Sequence, residues 1–427
     1  MSMTQSTTTI DSAAAENASA PEADVIAQLA GIPATADSPL AQLRAQRPEA
    51  TRHAQGSYRA LFDPAEAGGL TPVERFATAL YVATVHGARE AAAHYRQRLI
   101  RVGAGPEIVA QAEAAGGSRP AAPSGGAAAT RLQALLAHAD LLATRPSQAR
   151  PDHLQSLAGA GLSTQEIVTL AQTIAFVSFQ VRVVAGLRLL GRATDREAPF
   201  AAAAANGVGA AASPAPAGVA PAARVLRPDA SLARPKAFTV EQLEWAPWLE
   251  PLALEDATPQ QAAALEGSRG NSRYFRLLAY NVDVLTERTA TDKGIFYTPG
   301  GARRAERELS AAATSRLNGC IYCASVHARL AAQLSKRTED VDRLLRDGVA
   351  PGTDLHLDER WTGVVAVSVA LASTPPTATT EHVERLRQIG LSDLEILDVM
   401  QAGAFFAWAN RLMLTLGEPY YPKKAES

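Results

Sequence analysis

Residues 161–182 read GLSTQEIVTLAQTIAFVSFQVR, and residues 390–411 read GLSDLEILDVMQAGAFFAWANR. In both, Gly-Leu closes one helix and a Ser opens the next, with a Glu three residues later: Ser163 with Glu166, Ser392 with Glu395. This is a capping box, in which the hydroxyl accepts from a free backbone N–H and the carboxylate reaches back. Apolar residues then recur at helical spacing, as at Ile396, Val399, Met400 and Gly403. The pattern predicts a helix of roughly twenty residues in each stretch, ending near Gly186 and Gly417. The similarity extends outward. With Arg131 laid on Arg360 and no gap, Leu142-Ala143 meets Leu371-Ala372, Pro146 meets Pro375, His153 meets His382, and Arg182 meets Arg411. A shorter apolar helix precedes each copy and is stopped by proline, in Thr-Arg-Pro and Ser-Thr-Pro. We read the two halves as an internal duplication of one helical domain.

Composition agrees with an all-α fold. Hydrophobic residues make up 47% of the 427, yet aromatics are only 5%. Much of the remainder is alanine, which favours helix, whereas strands favour aromatic and β-branched residues. The net charge of -2 argues against a nucleic-acid partner. Two cysteines, Cys320 and Cys323, cannot staple a large secreted scaffold. The first 22 residues hold no Lys or Arg and no apolar core of a signal peptide. No uncharged apolar run is long enough to suggest a membrane span. The expectation is a soluble, cytoplasmic protein without a membrane partner.

Low-complexity segments set the expected boundaries. The Ser/Thr/Ala-rich start, 1–22, reads as a disordered tail. Two Ala/Pro/Gly-rich stretches follow, within 114–129 and 201–223. The second divides the chain nearly in half. The expected order is a cysteine-free helical lobe over 23–198, an Ala/Pro-rich linker over 199–235 and a cysteine-bearing lobe over 236–422.

The chemistry-bearing stretch is Glu308 to His327, ELSAAATSRLNGCIYCASVH. Residues 303–317 are strong helix formers, and Asn318-Gly319 is a turn pair that ends them. A second helix starting at Cys320 places both cysteines in its first turn, where the helix dipole favours a thiolate. By that argument Cys320 is the more acidic. His327 lies four residues past Cys323, on the same face, and can accept or return the thiol proton. Glu308 can fold back across the turn to orient the imidazole. A c-type haem needs His directly after the second Cys, where Ala324 stands. Zinc needs four ligands; no third Cys follows, and His356 is the nearest later candidate. No metal or bound cofactor is therefore expected, and dithiol/disulfide chemistry fits the spacing best. The run Arg303, Arg304, Arg307 reads as a solvated helix start.

These residues carry a resemblance. The segment 300–337, GGARRAERELSAAATSRLNGCIYCASVHARLAAQLSKR, is similar to the core of alkylhydroperoxidase D-like proteins, within the carboxymuconolactone decarboxylase superfamily. RYFRLLAYNVDVL, TDKGIFYTPGG and FFAWANRL also resemble its peroxidase-related branch. The resemblance implies an all-α fold, trimers or hexamers, and peroxide reduction by the cysteine pair, recharged by a small dithiol or an electron-donor protein. It implies catalytic roles for Glu308, Cys320, Cys323 and His327, with Cys323 peroxidatic and Cys320 resolving. Some relatives carry a His between the cysteines; here it is Tyr322. With two lobes on one chain, a homotrimer is the expected assembly.

Two other readings stay open. One is a cofactor-free decarboxylase or lactone enzyme using His and Glu as acid and base. The other is a redox-sensing scaffold without turnover. In the first half, laying Glu74 on Glu308 puts His86 on Cys320 and Arg89 on Cys323. Glu74, His86 and His94 are then candidates for acid/base work, against a lobe kept for packing. His153 and His382 read as structural, Arg182 and Arg411 as an interlobe ion pair, Asn410 as a weak candidate for serving the cysteine lobe, and Trp245 and Trp248 as an anchor.

Overall fold

The computed structural model describes residues 24–33, 38–65, 68–114, 127–194 and 221–422. The expected tail over 1–22, most of the 114–129 stretch and residues 199–220 of the expected linker lie outside them. The first half contains α1 (Val25–Ala30), α2 (Pro39–Ala45), α3 (Pro48–Phe62), α4 (Pro72–Val85), α5 (Arg89–Arg101), α6 (Pro106–Glu113), α7 (Ala127–Thr144), α8 (Pro151–Gly159) and α9 (Thr164–Thr194). The second contains α10 (Pro259–Ala264), α11 (Arg273–Leu278), α12 (Val282–Phe296), α13 (Arg304–Leu317), α14 (Ile321–Ser335), α15 (Thr338–Asp347), α16 (Glu359–Ala372), α17 (Thr380–Gln388) and α18 (Asp393–Leu416). The fold is all-α apart from one short antiparallel pair, β1 (Glu244–Pro247) with β2 (Gly417–Tyr420).

The capping boxes form as the spacing predicts. Ser163 N–H donates to Glu166 at 2.7 Å and Ser392 N–H to Glu395 at 2.8 Å. The lengths differ from expectation in one copy. α18 stops at Leu416, but α9 runs through Gly186 to Thr194. Packing against α18 outweighs the small helix penalty of one glycine, since Gly186 faces Met400 across the contact. α9 is apolar enough to cross a membrane, yet its most apolar window is wholly buried inside the protein. It is a core helix.

The two halves pack on each other through α3 on α12 and α9 on α18. Phe176 meets Trp408 edge-to-face at 5.2 Å, Phe179 meets Phe405 at 6.3 Å, and Trp408 Nε1 donates to Gln172 at 2.8 Å. Among the described residues, Arg182 and Arg411 form no ion pair. Arg182 donates to the Ala372 carbonyl that ends α16, and Arg411 to the Ala143 carbonyl near the end of α7. Each guanidinium thus caps orphan carbonyls of a helix in the opposite half. A buried ion group adds to this contact: Arg47 holds Asp398 at 2.6 and 2.7 Å, and Arg307 reaches the same carboxylate at 2.8 Å.

The described part of the expected linker is not free chain. Ala223 N–H donates to Leu162, Leu226 N–H to Trp248, and Tyr421 N–H to Ala233. Arg234 pairs with Glu418. Residues 221–235 therefore belong to the folded body. Trp245 and Trp248 anchor the entry to the second half, through Trp245 Nε1 to Met413 and Trp248 N–H to Leu416. His153 and His382 do cap work, each accepting from the backbone N–H three residues before it, of Arg150 and Thr379.

Candidate active site

Cys320 is the N-cap of α14, and Cys323 lies in its first turn. The turn before it depends on Gly319, whose φ of 78° suits glycine. Asn410 secures the same turn from α18. It accepts from Asn318 and donates to Ser315, both at 3.0 Å, and it touches the Cys320 thiol. The two thiols are near enough to perturb one another, and both are free.

The cysteines differ in access. Cys323 lines a cleft of about 660 Å³, together with Tyr322, His327, Arg288, Tyr274 and Phe406. Both thiols are buried, Cys320 at 2% and Cys323 at 5% exposure, but of the two only Cys323 lines that cleft. The helix-terminus argument for an acidic Cys320 fails here. Burial pushes the Cys320 thiol well up, and the neighbouring Cys323 adds to the effect.

Glu308 and His327 meet as the sequence suggests. His327 Nδ1 lies 2.5 Å from Glu308 Oε2. Arg304 donates to Oε1 of the same carboxylate at 2.5 Å. Burial alone drives the Glu308 carboxyl up, but the bond from His327 and the Arg304 charge outweigh it and hold it below its ordinary value. An ionised carboxylate only accepts, so the proton sits on Nδ1 and Nε2 is left as the basic nitrogen. Phe406 clamps the ring edge-to-face at 4.1 Å. Tyr322 is pushed up by burial and stays a neutral phenol. The arginine run is solvated only in part: Arg303 is exposed, but Arg304 serves Glu308 and Arg307 is buried on Asp398.

The first half assembles no equivalent. Arg131 ties Glu74 to Glu166, as Arg360 ties Glu306 to Glu395. Glu74 therefore corresponds in place to Glu306, two residues off the register read from sequence. Counting from there, Phe76 stands where Glu308 stands, Ala88 and Ala91 replace the cysteines, and Tyr95 replaces His327. Phe62 packs on both Phe76, at 5.2 Å, and Tyr95, at 5.1 Å. By that count, aromatic residues stand at the positions of Glu308 and His327. Glu74 is spent on a capping box with Thr71 and on Arg131. His86 faces Ser178, and His94 faces Tyr58. Burial, with nearby arginines adding to it, pushes both imidazoles down, His94 to about 4, so neither joins Glu74 in a site.

Sequence reasoning missed Arg288, Asp292, Tyr274 and Phe406 in the cleft. Arg288 and Asp292 are four apart on α12, a helix with no clean apolar face to advertise them. Among the described residues, no three His, Cys, Asp or Glu side chains converge as a metal site.

The carboxymuconolactone decarboxylase family model matches residues 283–357, which span α12 to α15 and hold Glu308, Cys320, Cys323 and His327. No curated protein matches the chain. Among solved structures, an uncharacterized peroxidase-related protein from Silicibacter sp. TM1040 is similar. It is 24% identical over 40% of this chain and 91% of that chain, with a TM-score of 0.34.

Proposed function

We propose that the second-half cleft reduces hydroperoxides with thiols, Cys323 being the attacking group. The observation that supports this most is that Cys323 and His327 line one cleft, while Cys320 lies outside it at the N-cap of the same helix. His327 Nε2 takes the Cys323 proton, and the thiolate attacks the terminal peroxide oxygen. The O–O bond breaks, the alcohol leaves with the proton from His327, and Cys323 becomes a sulfenic acid. The Cys320 thiol then attacks that sulfur; an S–S bond forms and water leaves. An external dithiol, free or on an electron-donor protein, reduces the disulfide by exchange. The sum is hydroperoxide plus dithiol giving alcohol, water and disulfide, with no bound cofactor.

Hydrogen peroxide and organic hydroperoxides, each with several dithiols, test the reading. Sustained consumption that stops in Cys323→Ser is expected. The Glu308–His327 pair also suits cysteine-free acid/base chemistry on a decarboxylase or lactone substrate. That alternative predicts an activity that survives Cys323→Ser. Oxidation of the thiols without turnover favours a redox sensor instead. For assembly we propose a homotrimer of two-lobed chains, working in the cytoplasm. Light scattering that reads a monomer or dimer overturns the trimer.

A further inference from the structure

We propose that Arg288 and Tyr274 form an anion subsite in the Cys323 cleft, so that the substrate carries a carboxylate on an apolar body. This rests on the peroxide reading for its chemistry but not for its binding.

Arg288 is 5% exposed, lines the cleft, and has no ion pair or hydrogen bond among the described residues. Its Nε is buried without a partner. The other buried arginines are all engaged. Arg44 holds Asp24, Arg47 and Arg307 share Asp398, and Arg75, Arg182 and Arg411 donate to carbonyls. Arg288 is instead gripped by ring faces, 5.0 Å from the Phe405 centroid and 5.9 Å from those of Tyr274 and Trp408. Rings hold a guanidinium through its plane and leave its N–H edge free to meet an anion. The Tyr274 hydroxyl is a second buried group without a partner, and it lines the same cleft. Leaving a buried cation and a buried hydroxyl unmet is costly unless something else meets them.

Two carboxyls, Asp292 and Glu244, line the cleft, Asp292 one turn from Arg288 along α12. Asp292 makes no ion pair with Arg288, and burial pushes its carboxyl up, which weakens it as a counter-ion. The planar fork of Arg288 and a phenol donor suit a carboxylate. Trp245, Phe405, Phe406 and Met413 supply an apolar wall for the rest of the molecule.

Octanoate and octanamide, matched in shape and differing in charge, are the probes. Binding to the reduced full-length chain is read by tryptophan fluorescence and calorimetry. We expect octanoate to bind at least about tenfold tighter, as a charge-assisted contact predicts. Arg288→Met should abolish the preference, and Tyr274→Phe should reduce it several-fold. Equal binding of the two probes overturns the proposal, as does a preference that persists in Arg288→Met. Should Arg288→Met fail to fold, the wild-type ratio and Tyr274→Phe decide. Turnover is a separate arm: a carboxylated hydroperoxide should exceed cumene hydroperoxide in kcat/KM, and the reverse order counts against the proposal. A preference for octanoate without any hydroperoxide consumption supports the subsite while removing the peroxidase reading.

Discussion

Replacing each cysteine singly separates the two thiols, and the size of the difference follows from their placement. An ordinary thiol with a pKa of about 8.5 is about 7% thiolate at pH 7.4. Burial pushes Cys320 well above its ordinary value, so its thiolate fraction is smaller still. Cys320 is also outside the cleft that His327 lines. Losing a positioned base costs a further factor of about 10² to 10⁴. Cys323→Ser should therefore slow the first reaction with hydroperoxide by at least about 10²-fold. Cys320→Ser should leave that step nearly intact, consume one equivalent per chain, and stall at a sulfenic acid. Stopped-flow tryptophan fluorescence follows the step, since Trp245 lines the cleft. Trapping with a 1,3-dione and mass spectrometry identifies the oxidised residue. If Cys320→Ser abolishes the first turnover while Cys323→Ser stays within about tenfold of wild type, the access argument is wrong and the roles reverse.

Other substitutions test the supporting contacts. His327→Ala should lower kcat about 10²- to 10⁴-fold, and Glu308→Gln by less, because an amide still orients the ring; equal rates for both and wild type remove the pair from the reaction. Asp398→Ala strands two buried arginines and should cost about 3–5 kcal/mol in urea unfolding; a loss under about 1 kcal/mol means water already satisfies them. Glu308 has a depressed carboxyl, so its contribution to stability is present above about pH 4.3 and fades as pH falls through the lower folded value. A thermal melt series from pH 6 to 3 should therefore show a steeper acid loss in wild type than in Glu308→Gln, and parallel curves argue against an ionised Glu308. Residues 236–427 expressed alone should aggregate or bind a hydrophobic dye, because Phe405 and Trp408 lose Phe176 and Phe179; a soluble, fully active fragment contradicts this.

The capping boxes, the all-α class and the Glu308–His327 contact were readable because each depends on residues close in sequence or on a strict helical period. The cleft was not. Its walls come from β1, α11, α12, α14 and α18, and no local pattern links Tyr274 to Phe406. The first-half register slipped for a related reason. Glu74 and Glu308 are both glutamates at the start of a helix, and sequence alone does not say which is a cap. The Arg131 and Arg360 bridges decide it, and those partners are 57 and 54 residues away. The acidity of Cys320 was misjudged because the dipole argument is local, whereas burial depends on everything packed around the turn.

That dependence gives the cysteine-free half a physical part in the site. α18 is the shared element. Toward the first half it presents Trp408 to Gln172 and Phe176, Phe405 to Phe179, and Asp398 to Arg47. Toward the cleft it presents Phe406, which clamps His327, and Asn410, which secures the turn carrying Cys320. These residues alternate within one helix, so they cannot move independently. Whatever fixes the axial position of α18 fixes the His327 ring and the cysteine turn together. The first half supplies that constraint through buried groups on the other side of the same helix. In the first half Phe62 packs on Phe76 and Tyr95, and close packing of this kind resists deformation. Rigidity is what a site built on α14 and α18 requires of its neighbour.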